Sequence, residues 1–338
     1  MFGKKFDLIC IGDITIDAFI RLKDAHLNCK LNHHTCELCL RFGDKVPFEF
    51  SKIINATGNA ANASLTASRL GLKTSLVSNV GDDQNGLACR KDLSQNNIDI
   101  SLVKVNKGKH TNYHFVLWYD VDRTILVNHI DYDYKLPKIP ATKWIYLTSV
   151  GANSSSYHHD IIEHLKANPE IKLAFQPGSN QIRMGFNKLE EIYKRADVVI
   201  VNLEEAERIL QSSKHGGPNF KTDPKSMLGY FHNIGIKLPV ITDGPRGSYL
   251  FDGDHYYHMP IYPDPKPPLE RTGCGDAWSA TFVSALALGK TPLEALMLAP
   301  INAMSVAQYI GAKEGLLKLD EMNWWLERAP NDYKPKEI

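Results

Sequence analysis

The chain has 338 residues, 43% hydrophobic and 23% charged, with a formal net charge of +1. That length and balance suit a soluble globular protein with a large core, and interleaved acids and bases leave no electrostatic footprint for nucleic acid. No apolar run is long enough to span a bilayer, and the first apolar run reads as a strand rather than a signal peptide. A cytoplasmic protein with six reduced cysteines and no membrane partner is therefore expected.

In chain order, residues 6–12 form a short apolar run of the kind buried in a parallel sheet. Residues 18–54 hold candidate strands and no clear helix. A helix is expected over 59–70, a strand over 74–80 and a helix over 84–96. Residues 110–130 read as a hairpin, with aromatic and β-branched residues around a polar turn. Strands follow at 143–147, 171–175, 197–201 and 239–242, each near a helical stretch, and 275–329 is mostly helical. Strands alternating with helices argue for a parallel sheet covered on both faces. The two irregular β regions, about 18–54 and 110–130, are expected to form a small separate sheet.

The segment 270–279, ERTGCGDAWS, is the most informative. A Gly-X-Gly turn running into a helix aims several backbone N–H groups at one point, where the helix dipole adds positive charge. An aspartate at the lip of such an anion pocket can take a proton from a nucleophile. The same pattern is also a plain tight turn with Asp276 as a cap, so the segment alone leaves both readings open.

Four other segments carry chemistry. Asp13 and Asp17 follow the first strand, where open α/β sheets seat ligands, and carboxylates there can accept hydrogen bonds from hydroxyls. Gly58 allows close backbone approach, and Asn62 can offer its amide to a hydroxyl. Asn202 and Glu205 fit a capping box and equally a pair that steers a magnesium water shell and a phosphate oxygen. Thr242, Gly244 and Gly247 fit a hairpin turn or a backbone passing close to a nucleotide. No P-loop, protein-kinase set or dinucleotide fingerprint is present. Cys29, His33, His34, Cys36 and Cys39 are zinc-like in type but irregular in spacing, so packed or exposed thiols are the default expectation.

Taken in order, 57–86 (TGNAANASLTASRLGLKTSLVSNVGDDQNG) and 270–289 (ERTGCGDAWSATFVSALALG) resemble the two signature regions of the ribokinase-like, PfkB-type carbohydrate kinases. The resemblance covers nearly the whole chain. It implies one kinase domain over 1–338, a three-layer α/β/α sandwich with a mainly parallel sheet, and a small β-sheet lid. It implies transfer of the ATP γ-phosphate to a hydroxyl of a small molecule, leading with a sugar and with a nucleoside as the alternative; an inactive regulatory member is a third reading. Asp276 would match the general base, and the backbone of Gly273, Cys274, Gly275 and Asp276 the anion hole. Asp17, Asp13, Gly58 and Asn62 would match substrate contacts. Asn202 and Glu205 would match the Mg²⁺–phosphate pair, with Glu205 acting through water. Thr242, Gly244 and Gly247 would contact ATP, and Asn302 would lie near the adenine.

The chain departs from the pattern in two places. Thr57 replaces the first of two paired glycines, which would narrow the sugar side or add a hydroxyl. Glu270 and Arg271 replace the common Asp-Thr, which puts the family's monovalent cation in question and lets Arg271 supply positive charge instead. Tyr113, Phe115, Trp118 and Tyr119 could stack on a base or be lid core. An exposed lid sheet would suit a homodimer.

Overall fold

The computed structural model describes residues 5–29, 36–120, 122–213 and 222–338. In chain order the elements are β1 (Phe6–Ile11), β2 (Thr15–Leu22), β3 (His26–Cys29), β4 (Cys36–Cys39), β5 (Phe48–Thr57), α1 (Asn59–Arg69), β6 (Thr74–Gly81), α2 (Gln84–Gln95), β7 (Val103–Asn106), β8 (Tyr113–Tyr119), β9 (Asp122–Asn128) and β10 (Thr142–Leu147). Then come α3 (Ser155–Ala167), β11 (Lys172–Phe175), α4 (Ser179–Met184), α5 (Phe186–Arg195), β12 (Val198–Asn202), α6 (Leu203–Gln211), α7 (Pro224–Ile234), β13 (Leu238–Thr242), β14 (Ser248–Phe251), β15 (Tyr256–Met259), α8 (Cys274–Ala287), α9 (Pro292–Val306), α10 (Leu319–Glu327) and β16 (Lys336–Glu337).

The local chemistry explains these boundaries. In α7, Asp223 caps the first turn by accepting from Ser226 N–H, Pro224 opens the helix, and Gly235 ends it at φ +119. Strand β6 is buried along its whole length, as a central parallel strand must be.

The main sheet runs β16-β15-β14-β13-β12-β11-β10-β1-β6-β7. Strands β7 through β13 in that order pair in parallel, and β14, β15 and β16 extend it antiparallel. Alternate residues of β1 feed two cores. Leu8 and Cys10 pack with Leu65 of α1, Phe282 of α8 and Leu296 of α9. Ile9 and Ile11 pack with Ile161 of α3, Leu189 of α5, Ile209 of α6 and Phe231 of α7. The three-layer α/β/α architecture is thus present. Strand order reverses at β1, between β6 and β10, which opens a crevice beyond the carboxyl end of β1.

The two irregular regions form a second sheet, β5-β2-β8-β9. It begins earlier than the sequence indicated, at Thr15, so Asp17 lies on a strand and not in a loop. The register puts Ile54, Asp17, His114 and Val127 in one row on one face. Ile53, Ala18, Phe115 and Leu126 form the neighbouring row on the other face.

A separate hairpin, β3–β4, corrects the expectation that every cysteine is reduced. Cys29 and Cys36 stand directly opposite each other and are joined as a disulfide. The bond takes two of the five thiol and imidazole groups named for zinc. Cys39 is free and pairs in register with His26, while His33 and His34 lie outside the described residues. Among the described residues no group of three metal-ligating side chains occurs, and no helix is long and apolar enough to cross a membrane.

Candidate active site

The turn before α8 is held from below by a buried carboxylate. Glu270, 2% exposed, accepts from Thr272 N–H at 2.6 Å, from the Thr272 hydroxyl, and from Gly311 N–H at 3.3 Å. This fixes the chain path into Gly273, whose φ of +84 is the left-handed conformation that glycine tolerates. Ala277 N–H reaches back to Gly273 C=O at 2.8 Å, and Cys274 N–H to Arg271 C=O at 3.3 Å. The N–H groups of Gly273, Gly275 and Asp276 find no acceptor among the described residues. Three free donors at a helix N-terminus therefore converge with the dipole, as an anion site requires. The expected fourth donor, Cys274, is turned away. Burial pushes the Cys274 thiol up to about 12, which keeps it neutral.

Asp276 sits in the first turn of α8, facing the crevice. Asn59 Nδ2 donates to its Oδ1 at 2.9 Å and Asn62 Nδ2 to its Oδ2 at 2.8 Å. Gln176 Nε2 stands 3.4 Å from Oδ1. Burial raises its pKa to about 6 and Asp17 adds to the rise, against the hydrogen bonds from Asn62 and Gln176. Both asparagines lie at the start of α1, whose cap, Gly58, has φ +92. A Cβ on Gly58 would lie 2.8 Å from Asp13 C=O, so glycine is what lets α1 approach the β1 loop.

Three cavities meet at this helix end. The first, about 620 Å³, is lined by Asp13, Thr15, Asp17, Gly58, Asn59, Asn62, His114, His129, Arg183, Thr272 and Asp276, with Ile125 and Val127 from β9. Asp13 accepts from Tyr134 OH with both oxygens, at 2.8 and 2.9 Å, and lies 3.6 Å from His129 Nδ1. Asp17 lies 3.4 Å from His114 Nδ1, and the two imidazoles stack at 5.2 Å. Asn62 Oδ1 is buried with no protein partner, so its remaining acceptor is uncommitted.

The second cavity, about 270 Å³, shares Asn59 and Asp276 with the first. It is also lined by Asn202, Glu205, Gly273, Gly275, Arg123, Arg271 and Thr242. Asn202 and Glu205 make the full capping box: Glu205 N–H donates to Asn202 Oδ1 and Asn202 N–H to Glu205 Oε2, each at 2.9 Å. The structural reading of this pair is therefore satisfied, and the pair still faces the cavity. Burial raises the Glu205 pKa, and nearby Asp276 raises it further.

The third cavity, about 250 Å³, shares Thr242, Arg271 and Gly275 with the second. Its walls are mostly apolar: Pro245, Pro260, Ile261, Tyr262, Trp278, Pro300, Ala303 and Met304, with Gly244 and Gly247 at the edge. The 243–247 turn joins the antiparallel pair β13 and β14, so it is a hairpin and a cavity wall together. A Cβ on Gly247 would lie 2.2 Å from Met259 C=O.

Several sequence expectations need correction. Asn302 does not line the third cavity: it is fully buried, its Nδ2 donates to Thr281 Oγ1 at 2.8 Å, and its Oδ1 accepts from Leu317 N–H at 2.9 Å. Thr57 is also fully buried and donates to Thr15 C=O at 3.1 Å, so it offers the first cavity no hydroxyl. Tyr113, Phe115, Trp118 and Tyr119 do not line that cavity either. Trp118 is covered by Arg21, 4.3 Å above its ring, and by Phe50. Five residues in or beside these cavities, His114, His129, Tyr134, Asn59 and Arg123, carry no signal of their own that singles them out in the sequence. Asn59 stands within the GNAAN run already singled out; His114 and Arg123 become visible only once strand register is known, and His129 and Tyr134, which lie beyond β9, only from the folded path of the chain.

A family model described as pfkB family carbohydrate kinase matches residues 50–319. An ATP-dependent 6-phosphofructokinase of Thermoanaerobacterium thermosaccharolyticum is 23% identical over 335 residues, covering 94% of this chain and 92% of that protein. The crystal structure of a nucleoside kinase of Methanocaldococcus jannaschii superposes with a TM-score of 0.75 at 18% identity, over 96% of this chain and 98% of that one. Ribokinase of Arabidopsis thaliana, solved with ribose and ATP, superposes with a TM-score of 0.73 at 17% identity, over 95% and 98%. The chain belongs to the pfkB family of carbohydrate kinases, and is a sugar or nucleoside kinase, a phosphotransferase with an alcohol acceptor.

Proposed function

We propose that the chain transfers the γ-phosphate of ATP to a hydroxyl of a sugar, with Asp276 as general base. The observation that carries this reading is the place of Asp276: it lies between two cavities, beside three free backbone N–H groups. In this reading the first cavity seats the acceptor, the second the transferring phosphoryl, and the third the adenine. Asp17, Asp13 and Asn62 Oδ1 orient acceptor hydroxyls, with Gly58 beside them. Thr242, Gly244 and Gly247 border the nucleotide. The anion hole is Gly273, Gly275 and Asp276 N–H, without Cys274. Phosphoryl transfer needs positioning and charge neutralisation more than covalent chemistry, and this arrangement supplies both.

A magnesium ion fits the second cavity. Glu205 is a carboxylate whose charge is disfavoured by burial and by Asp276, and a cation would relieve both. The side chains supply too few ligands for a cage, which suits an ion that keeps its waters and binds phosphate oxygens. Such an ion would neutralise phosphate charge; Glu205 would hold it through water while Asn202 steers a phosphate oxygen.

The whole chain then acts as one kinase domain, with β5-β2-β8-β9 as a lid carrying Asp17 and His114. The face of that sheet away from Asp17 exposes Ile53 (61%), Phe115 (44%) and Leu126 (51%), which suits a homodimer through the lid.

The pKa of about 6 at Asp276 predicts the acid limb of activity. Below pH 6 the base is protonated, so kcat/KM should fall close to tenfold per pH unit, and stay level from about pH 7 to 8. A pH–rate profile from 5 to 8 checks this; a flat profile removes Asp276 as the base.

A nucleoside is the second reading, favoured by the stacked His114–His129 pair beside Ile125 and Val127 in a cavity of about 620 Å³. Measuring ADP release with ribose, fructose, ketodeoxygluconate, adenosine, inosine and cytidine separates the two. The highest kcat/KM is expected for a sugar; a nucleoside ahead of every sugar reverses the assignment.

A further inference from the structure

Arg123 is borne on β9, the edge strand of the small sheet, yet its side chain lines the same cavity as Asn202, Glu205, Gly275 and Asp276. Its register partner is Trp118, in the row pattern that puts His114 and Asp17 on the same face. Among the described residues its guanidinium makes one hydrogen bond, to a neighbour on the solvent side, and one long contact. Nε stands 3.9 Å from Glu270 Oε1, an oxygen already bonded to Thr272, and one terminal nitrogen lies 3.1 Å from the exposed Asp122. A guanidinium offers five donors in a planar fork, so most remain for a ligand. The three free N–H groups of the α8 turn and Arg271 line the same space.

Resting on the phosphoryl-transfer reading above, we propose that Arg123 is a catalytic residue that grips the transferring phosphoryl group from the lid side. In the step, a bond forms between the acceptor oxygen and the γ-phosphorus. The bond from that phosphorus to the β–γ bridging oxygen breaks, and its electron pair leaves with ADP. The acceptor proton goes to Asp276. Arg123 neither gives nor takes a proton; its fork meets the charge on the phosphoryl oxygens opposite the helix end. Because Asp17 and Arg123 ride on one sheet, seating the acceptor and completing the charge clamp become one event.

The test uses full-length Arg123→Ala and Arg123→Lys, with ATP and the best acceptor. Arginines in this role are worth about 10³-fold or more in kcat, so Arg123→Ala should lose about that much while the acceptor KM stays within about threefold. Lysine should restore little, because a point charge does not reproduce the fork. Added guanidinium chloride, at millimolar concentration, should raise Arg123→Ala turnover by about tenfold or more and leave wild type unchanged. A purely structural role would not respond to it. Loss of less than tenfold in Arg123→Ala, equal activity of the lysine variant, or an effect confined to the acceptor KM overturns the proposal. Should the alanine variant unfold on a thermal melt, the lysine variant decides alone. Wild type without turnover on any acceptor fails the phosphoryl-transfer reading, and this proposal with it.

Discussion

Replacing Asp276 by Asn is expected to leave ATP affinity within about threefold of wild type and to cut turnover by about 10²–10⁴-fold. Asparagine keeps the shape and one acceptor oxygen but cannot take a proton. ATP is read elsewhere in the proposed account, by the apolar cavity around Trp278 and Met304 and by the N–H groups of the turn. Stability gives an independent check with a fixed sign. The folded pKa, about 6, lies above the ordinary aspartate value of 3.8, so the folded state binds more protons between those values. The contribution of Asp276 to stability is present below about pH 4 and is lost as pH rises through 6. At pH 8 the charged, buried carboxylate is therefore a cost, partly offset by Asn59 and Asn62. The variant should melt no lower than wild type there, while its activity is nearly gone. Calorimetric ATP titration, steady-state rates and thermal melts at pH 8 measure the three quantities. Wild-type turnover in Asp276→Asn would refute the base assignment.

Gly273→Ala should damage both folding and turnover. The position has φ +84, and an added Cβ would lie 2.2 Å from Ala312 Cβ and 2.6 Å from its Cα. Backbone cannot yield as a flexible side-chain end can, and Gly311 beside it is tied to Glu270. Left-handed strain of about 1–3 kcal/mol and overpacking of about 1–3 kcal/mol add at one site. Any relief moves the turn that aims the free N–H groups, so kcat should also fall by about 10²–10³-fold. Gly275→Ala is the control: a Cβ there meets nothing within 4 Å and the residue is helical. Its stability should stay within about 0.5 kcal/mol. Equal melting temperatures for wild type and Gly273→Ala would contradict the packing argument.

How far each feature could be read from the residues depended on how local its signal was. Helix α1 and strand β6 came close to their true limits because period and burial are written into neighbouring residues. The turn at Gly273 and the capping box at Asn202 are likewise local. What could not be read depends on distant pairing. His114 joins Asp17 only because β8 pairs with β2, and Arg123 reaches the α8 turn only because β9 is the sheet edge. Tyr134 meets Asp13 across 121 residues of sequence. Asn302 is a further case: the resemblance set it near the adenine, while long-range packing spends its amide on Thr281 and Leu317. Short strands such as β15 and β16 carry too few residues to show a period.

Phosphoryl transfer to an acceptor hydroxyl at the α8 turn is the step on which the proposed function rests. Its most direct test is ADP formation by purified wild-type protein with ATP and Mg²⁺, with and without the acceptor panel, alongside the mass of any phosphorylated product. The expected result is ADP that depends on one acceptor and matches the phosphorylated product one to one. ATP binding with no acceptor-dependent ADP across the panel would contradict it, and would mark a chain that holds nucleotide without transferring phosphate.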